Sequence, residues 1–454
     1  MAKKLAIKKM MACLLAAGLL MSSAVGCSGG GGTGGSGGTS SSGESSQSSS
    51  AASQESSGGS GSKTLTVWHT YTAEDDRGPF EATLKAFEDV NSDVTMEVVS
   101  YSTADIITNL NMAVVAGTMP DLAILDNPKF ASLVETGVFA PITDWFYGWE
   151  DSKNFKENCL DMGTIDGELY GILYDPCGLA LWANKQMLAD AGYDAAPTNW
   201  EEFEEIAMAC TDPANNVYGF ATSTRTEEEG STFQHGAFIY TSGTTLYDLS
   251  TQGALDYFNM VDRLYAAGAI SMESIDWTQG DAYNQFLAGN AAMCLSGDWN
   301  INTYLDPATN TLGIEALMAP IPAYDDDHQG ITLFGGEMIG MTNNCEDVEL
   351  AYDFLEFWLS RDMMKQVDLA ITKNSGRTDL SNEDIYAESA PEILELRKFY
   401  EDIVDNAVPR GPDAKWVDIS DAFRDCLQAI ALDEADVDTA VSTAVAEIDK
   451  ICAE

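Results

Sequence analysis

Beyond residue 62, the chain alternates short apolar runs with longer amphipathic stretches. Leu65-Thr66-Val67-Trp68 has the length and side chains of a strand, and Thr95–Val99 reads the same way. Between them Phe80, Leu84 and Phe87 recur at helical spacing within 79–90, which predicts a strand, a helix and a second strand in succession. A helix over 104–116 follows, with Gly117 as its stop and Pro120 just beyond, and 121–125 is the next strand. Further along, Ala291–Leu295 reads as a strand and the aromatic-rich stretch Val348–Leu359 as a helix. Strands alternating with helices argue for an α/β fold whose mainly parallel sheets are covered on both faces.

The first 62 residues break this pattern. Lys3, Lys4, Lys8 and Lys9 precede an apolar run over 10–21 that is too short to cross a bilayer comfortably, so residues 1–26 read as an export signal. Ala24-Val25-Gly26-Cys27 resembles a bacterial lipobox, with Ala24 where that motif usually carries Leu. The resemblance implies that Cys27 becomes the first residue and carries a lipid; cleavage of a simple secretory signal nearby is the alternative. After Cys27 the chain is almost wholly Gly, Ser, Thr, Ala and Gln, so 27–62 reads as a flexible tether with a span of roughly 30–35 Å. Its Gly32-Thr33-Gly34-Gly35-Ser36-Gly37 matches a dinucleotide fingerprint by composition alone, since no strand precedes it and no helix follows.

Charge removes whole classes of partner. With 23 basic against 72 acidic residues the formal charge is −49, which argues against phosphate-neutralising contact with nucleic acid and against attraction to an anionic membrane surface. Catalytic signatures are also missing. There is no H-E-x-x-H or Walker sequence, G-x-S-x-G occurs only by composition in the Gly/Ser-rich stretch before residue 62, and His69, His235 and His328 lie far apart. Among so many carboxylates, pairs at any spacing arise by chance and identify no glycosidase. Asp325 and Asp327 with Gly330 suggest a calcium loop, but Gln329 and Gly336 stand where its ligands belong, leaving a solvated loop. No metal or cofactor is expected. Of nine cysteines, seven fall in the folded part at irregular spacing, an odd number that cannot all pair; they read mostly as small buried residues, with one disulfide still open.

A series of segments, in order, then carries a family resemblance: Leu65-Thr66-Val67-Trp68, Ala116-Gly117-Thr118-Met119-Pro120-Asp121-Leu122, Gly167-Glu168-Leu169-Tyr170-Gly171, Asn184-Lys185, and Thr198-Asn199-Trp200-Glu201-Glu202-Phe203. Phe286-Leu287-Ala288-Gly289-Asn290-Ala291-Ala292-Met293, Gly297-Asp298-Trp299 and Ala319-Pro320-Ile321-Pro322-Ala323 continue it. The chain resembles an extracellular solute-binding protein of a bacterial ABC importer, of the maltodextrin-binding type called family 1. Ser375-Gly376-Arg377 stands where that family usually has a Pro before its Arg.

The resemblance implies two α/β lobes, at 63–172 plus 322–375 and at 173–321 plus 376–454, joined by crossover strands near Gly171 and Pro320 that act as a hinge. Solute would sit between them, and the protein would work as a monomer with ABC permease subunits. Open α/β sheets place ligands at the carboxyl ends of their strands. That rule selects His69 and Tyr71, Asp126 and Asn127, and Tyr174 and Asp175. The resemblance adds Gln234 and His235 beside Phe233, then Trp299, Gly336 and Glu337. Each also has a plainer reading, as a turn, a cap or core packing. Carboxylates and amides beside flat aromatics suit a carbohydrate, whose hydroxyls and apolar face need both. An anionic solute would call for cations, and the candidate loops offer only Arg377 and Arg225. The expected function is capture of a neutral sugar or oligosaccharide, against the rival classes of a surface glycan hydrolase and an adhesive domain.

Overall fold

The computed structural model describes residues 62–72 and 74–453. The expected export signal, Cys27 and the expected tether up to residue 61 lie outside the described residues. Two sheets organise the rest. Apart from a short hairpin of Thr164–Ile165 with Glu168–Leu169, the strands, in chain order, are β1 (Lys63–His69), β2 (Val94–Ser100), β3 (Leu122–Asp126), β4 (Gly171–Leu173), β5 (Leu179–Asn184), β6 (Tyr218–Ala221), β7 (Ala291–Gly297), β8 (Ala316–Ala319), β9 (Leu333–Phe334), β10 (Glu337–Met341) and β11 (Val408–Pro409).

The first sheet runs β2-β1-β3-β10-β4 and the second β8-β5-β7-β6, while β9 and β11 form a short parallel pair. Each sheet contains one reversed strand. In the first, β1 pairs in parallel with β2 and β3, and only β10 is antiparallel to its neighbours β3 and β4. In the second, β6 and β7 are parallel, and only β5 runs against its neighbours β7 and β8. The reversed strands are the ones by which the chain enters each half. They start at the edge where the other strands end, so they must run the opposite way.

Both sheets are buried on both faces, which is why their strands read as apolar runs rather than alternating ones. Leu122 and Ile124 of β3 face one core with Phe80, Leu84 and Trp358, whereas Ala123 and Leu125 face another with Ile106, Leu110 and Phe130. The same two-sided division holds in β5, where Leu181 faces Phe203 and Phe238 while Trp182 faces Tyr283 and Tyr400. Helix Thr103–Ala116 begins at Ser102, whose hydroxyl accepts from the Asp105 N–H, and stops at the left-handed Gly117. Ile321 packs in the second sheet's core, and Leu380, Ile385 and Tyr386 in the first's.

All seven cysteines among the described residues are free, four of them buried. Trp182, expected in the core, is fully buried and donates its indole N–H to the Tyr400 hydroxyl at 2.6 Å. Asp325 bonds His328 at 2.5 Å in an exposed loop, and no group of candidate metal ligands occurs among the described residues.

Arg377 is a structural residue. Its guanidinium forks onto Asp379 at 2.9 and 3.0 Å, donates to the Leu359 carbonyl at 2.8 Å and pairs with Asp151 at 2.8 Å. Arg377→Met should therefore lower unfolding stability by about 1–3 kcal/mol through loss of these charge-assisted bonds. An unchanged denaturation midpoint would refute this role.

Candidate functional site

The carboxyl ends of β1, β3 and β7 and the start of β10 converge on one cavity of about 510 Å3. The chain crosses between the two sheets beside it. Cys177 and Gly335 exchange N–H···O bonds at 2.8 and 3.0 Å, and the Tyr174 N–H donates to the Glu337 carbonyl at 3.2 Å. Gly336 adopts φ +148°, and a Cβ there would lie 2.7 Å from the Asp175 carbonyl oxygen, so this crossing requires glycine.

Tyr71, Asp126, Trp299, Gly336 and Glu337 line the cavity. Trp299 sits on the short turn Asp298–Asn300 immediately after β7, and its ring stacks on Phe233 with centroids 6.2 Å apart. The ring packs so closely over Gly297 that any side chain at that position would displace it. Tyr71 stacks on Phe80 at 4.1 Å and donates its hydroxyl to Asp175 at 2.9 Å.

The remaining expected residues lie behind the wall. Asp175 accepts from the Glu337 N–H at 2.5 Å as well as from Tyr71, and the Tyr174 hydroxyl lies 3.1 Å from that of Tyr71. His69 is buried and its Nδ1 accepts from the Tyr71 N–H at 3.2 Å, which leaves the ring proton on Nε2, 3.6 Å from Glu81. Asn127 donates to the Arg410 carbonyl at 2.9 Å and so orients a neighbour of the cavity. Gln234 and His235 are further away. Both are buried in the second half, where Gln234 bonds the Ser223 N–H and the Leu295 carbonyl, and His235 bonds Tyr257 and the Ser223 carbonyl. Helix Glu229–Thr241 turns Phe233 to the cavity, and the helical period then carries the next two side chains inward.

Sequence reasoning missed the cations. Of the two it offered, Arg377 is occupied elsewhere and Arg225 pairs with Glu227 at 3.3 Å. The cavity wall instead carries Lys129, Lys373 and Arg410, the last two buried. The Arg410 guanidinium lies 3.9 Å over the Phe233 ring and donates to Asp126 and Asn127, each at 3.2 Å. The Lys373 ammonium lies 5.0 Å from the Trp299 ring centroid, 3.6 Å from Asp298 and 3.9 Å from Asp175. Glu228 and Glu229 also line the wall.

Burial dominates the electrostatics. It pushes Asp126 up against the opposing pull of Arg410, and it pushes Glu337 well above the carboxylate range, reinforced by Asp126 and Asp175. Asp175 rises to about 7 by burial, with Lys373 and the Glu337 N–H opposing. Burial pulls the Lys373 ammonium down, but Asp298, Cys177 and Asp175 outweigh it and hold the group above the usual lysine range. What results is a concave site where aromatic faces alternate with cation–carboxylate pairs, suited to an uncharged ligand rich in hydroxyls.

A sequence profile described as bacterial extracellular solute-binding protein matches residues 82–389. The chain belongs to that family. A binding protein of Brucella abortus is 26% identical over 384 residues, covering 82% of this chain and 90% of the relative. An arabinooligosaccharide-binding protein of Halalkalibacterium halodurans is 24% identical, over 55% of this chain and 56% of that one. Among solved structures, an ABC transporter solute-binding protein from Thermotoga lettingae bound with alpha-D-tagatose is similar in fold, with TM-score 0.75, 23% identity and coverage of 86% of this chain and all of that one. The solute-binding family member described here thus has the two-lobed α/β fold, with the cavity between its lobes.

Asp175 generates a pH test. An acid with a folded pKa above its unfolded value binds more protons folded than unfolded, so its contribution to stability is full below about pH 4 and is lost as pH rises through about 7. Asp175→Asn abolishes that titration. The stability of the wild type relative to the variant should fall between pH 4 and 7 and then stay flat. His69 and His235, both pushed down to about 4 by burial, titrate in both proteins and cancel in the difference. A pH-independent difference in denaturation free energy would contradict the assignment.

Proposed function

We propose that this chain is the lipid-anchored, extracytoplasmic solute-binding component of an ABC importer, which captures a neutral sugar or oligosaccharide between its lobes and delivers it to membrane permease subunits. The observation that carries the reading is the cavity wall itself. Trp299, Phe233 and Tyr71 offer aromatic surface beside the Lys373–Asp298 and Arg410–Asp126 pairs, and a sugar needs both kinds of contact. Relatives that bind arabinooligosaccharide and maltodextrin support the class of solute. Membership of a family of binding proteins favours capture over catalysis. Tyr71, Asp126, Trp299, Gly336 and Glu337 would face the ligand, with His69, Asn127, Tyr174 and Asp175 supporting them, while Gln234 and His235 are not proposed as contacts.

The lobes in this reading are 62–173 with 337–386, and 179–334 with 391–453. The hinge comprises 174–178 and 335–336, where the crossing segments pair, rather than Gly171 and Pro320. No helix among the described residues is long and apolar enough to cross a membrane. Attachment would rest on Cys27, so Cys27→Ser should abolish lipid labelling and release the protein from membranes; unchanged retention would sink the lipoprotein reading.

Trp299→Ala decides the site. Loss of the stacking ring should weaken sugar binding by about 1–3 kcal/mol while folding survives. Paired measurement of unfolding midpoint and calorimetric affinity tests it, and an unaltered affinity in a well-folded variant removes Trp299 from the site. Saturating sugar should also reduce the radius of gyration in small-angle scattering, as closure of the lobes requires.

A further inference from the structure

Lys373 follows helix Arg361–Ile371 and the left-handed Thr372, and its side chain is more than nine-tenths buried yet lines the cavity. Its surroundings are unusual for a buried lysine. The distances of 3.6 Å to Asp298 and 3.9 Å to Asp175 lie beyond hydrogen-bond reach, so charge holds the ammonium in place while its three N–H donors remain unspent on protein acceptors. Asp298 mirrors this condition. One carboxylate oxygen accepts from Arg397 at 2.8 Å, and the other, the one nearest Lys373, is buried without a partner. Donors without acceptors thus stand beside an acceptor without a donor, next to the Trp299 ring.

A hydroxyl completes such a pair because it accepts and donates at once. A carboxylate does not. It would bring a further negative charge up to the Asp298 carboxylate and the Asp175 carboxyl at low dielectric, with a single buried ammonium between them. Arg397 is already committed to Asp298, and Arg410 to Asp126.

We propose that Lys373 is a ligand contact and specificity-determining residue, donating to a hydroxyl oxygen of a neutral sugar seated beside Trp299, while Asp175 and Asp298 exclude uronic-acid sugars from the same place. The inference rests on the reading of the cleft as a sugar site. It adds a cation that recognises neutrality rather than charge.

The test titrates the wild type and two variants calorimetrically with maltotriose, mannotriose and arabinotriose as neutral probes and with trigalacturonate as the acidic one. Lys373→Met should weaken binding of whichever neutral sugar the wild type takes by at least about tenfold, the loss expected for a charge-assisted hydrogen bond. Because removing one buried charge can strand Asp175, the double variant Lys373→Met, Asp175→Asn is measured beside it and should show the same loss with a retained cooperative unfolding transition. Trigalacturonate should not compete. Unchanged neutral-sugar affinity in the double variant, or tighter binding of trigalacturonate than of every neutral probe, overturns the inference while leaving the sugar reading standing. If the wild type binds none of the neutral probes, the sugar reading falls and this inference falls with it.

Discussion

The backbone pairing of the two crossing segments is the constraint on which the cleft depends. Cys177 and Gly335 bond to each other, and one register step away Asp175 takes the Glu337 N–H into its carboxylate. That single side chain then fixes three elements at once, because it also accepts from Tyr71 and faces Lys373. A buried carboxylate is tolerable only where its partners are all supplied. Here they come from the end of β1, the start of β10 and the loop after helix Arg361–Ile371, so the ends of distant elements are held within one small volume.

The strong acidity of the chain does not prevent local balance. At the cleft, buried cations are each matched by carboxylates: Arg410 by Asp126, Arg397 by Asp298 and Arg424 by Glu229. Pairing at this depth adds little net stability, since desolvation offsets most of the Coulomb gain. What it contributes is orientation. Arg410 is pinned flat over Phe233, and Trp299 is confined between Gly297 and Phe233, so the aromatic faces are set before any ligand arrives.

The framework was legible because its signals are local. Leu65-Thr66-Val67-Trp68, the Gly117 stop and the run into Trp299 each contain, within a few residues, the apolar period or turn chemistry that shapes them. The strand-end rule pointed to Tyr71 and Asp126 and the family resemblance to Glu337, and all three line the cavity. It could not find Lys373 or Arg410. These arrive from a helix end and a short edge strand, and nothing in their own sequence neighbourhoods points at a cavity. Gln234 and His235 failed for the converse reason: the segment was right, but on a helix one residue's rotation separates the cavity face of Phe233 from the core.

The wall of the cleft is gathered from Tyr71 near the start of the folded region to Arg410 near its end. Synthesis therefore delivers the pieces over almost the whole length of the chain, and the cavity does not exist until the segment bearing Arg410 has paired beside β9. No stretch that begins after Tyr71 or stops before Arg410 carries all three aromatic rings, Tyr71, Phe233 and Trp299, together with Lys373 and Arg410. The complete wall is a property that the polymer acquires late, so a molecule caught in mid-translation before Arg410 emerges lacks the last piece of it.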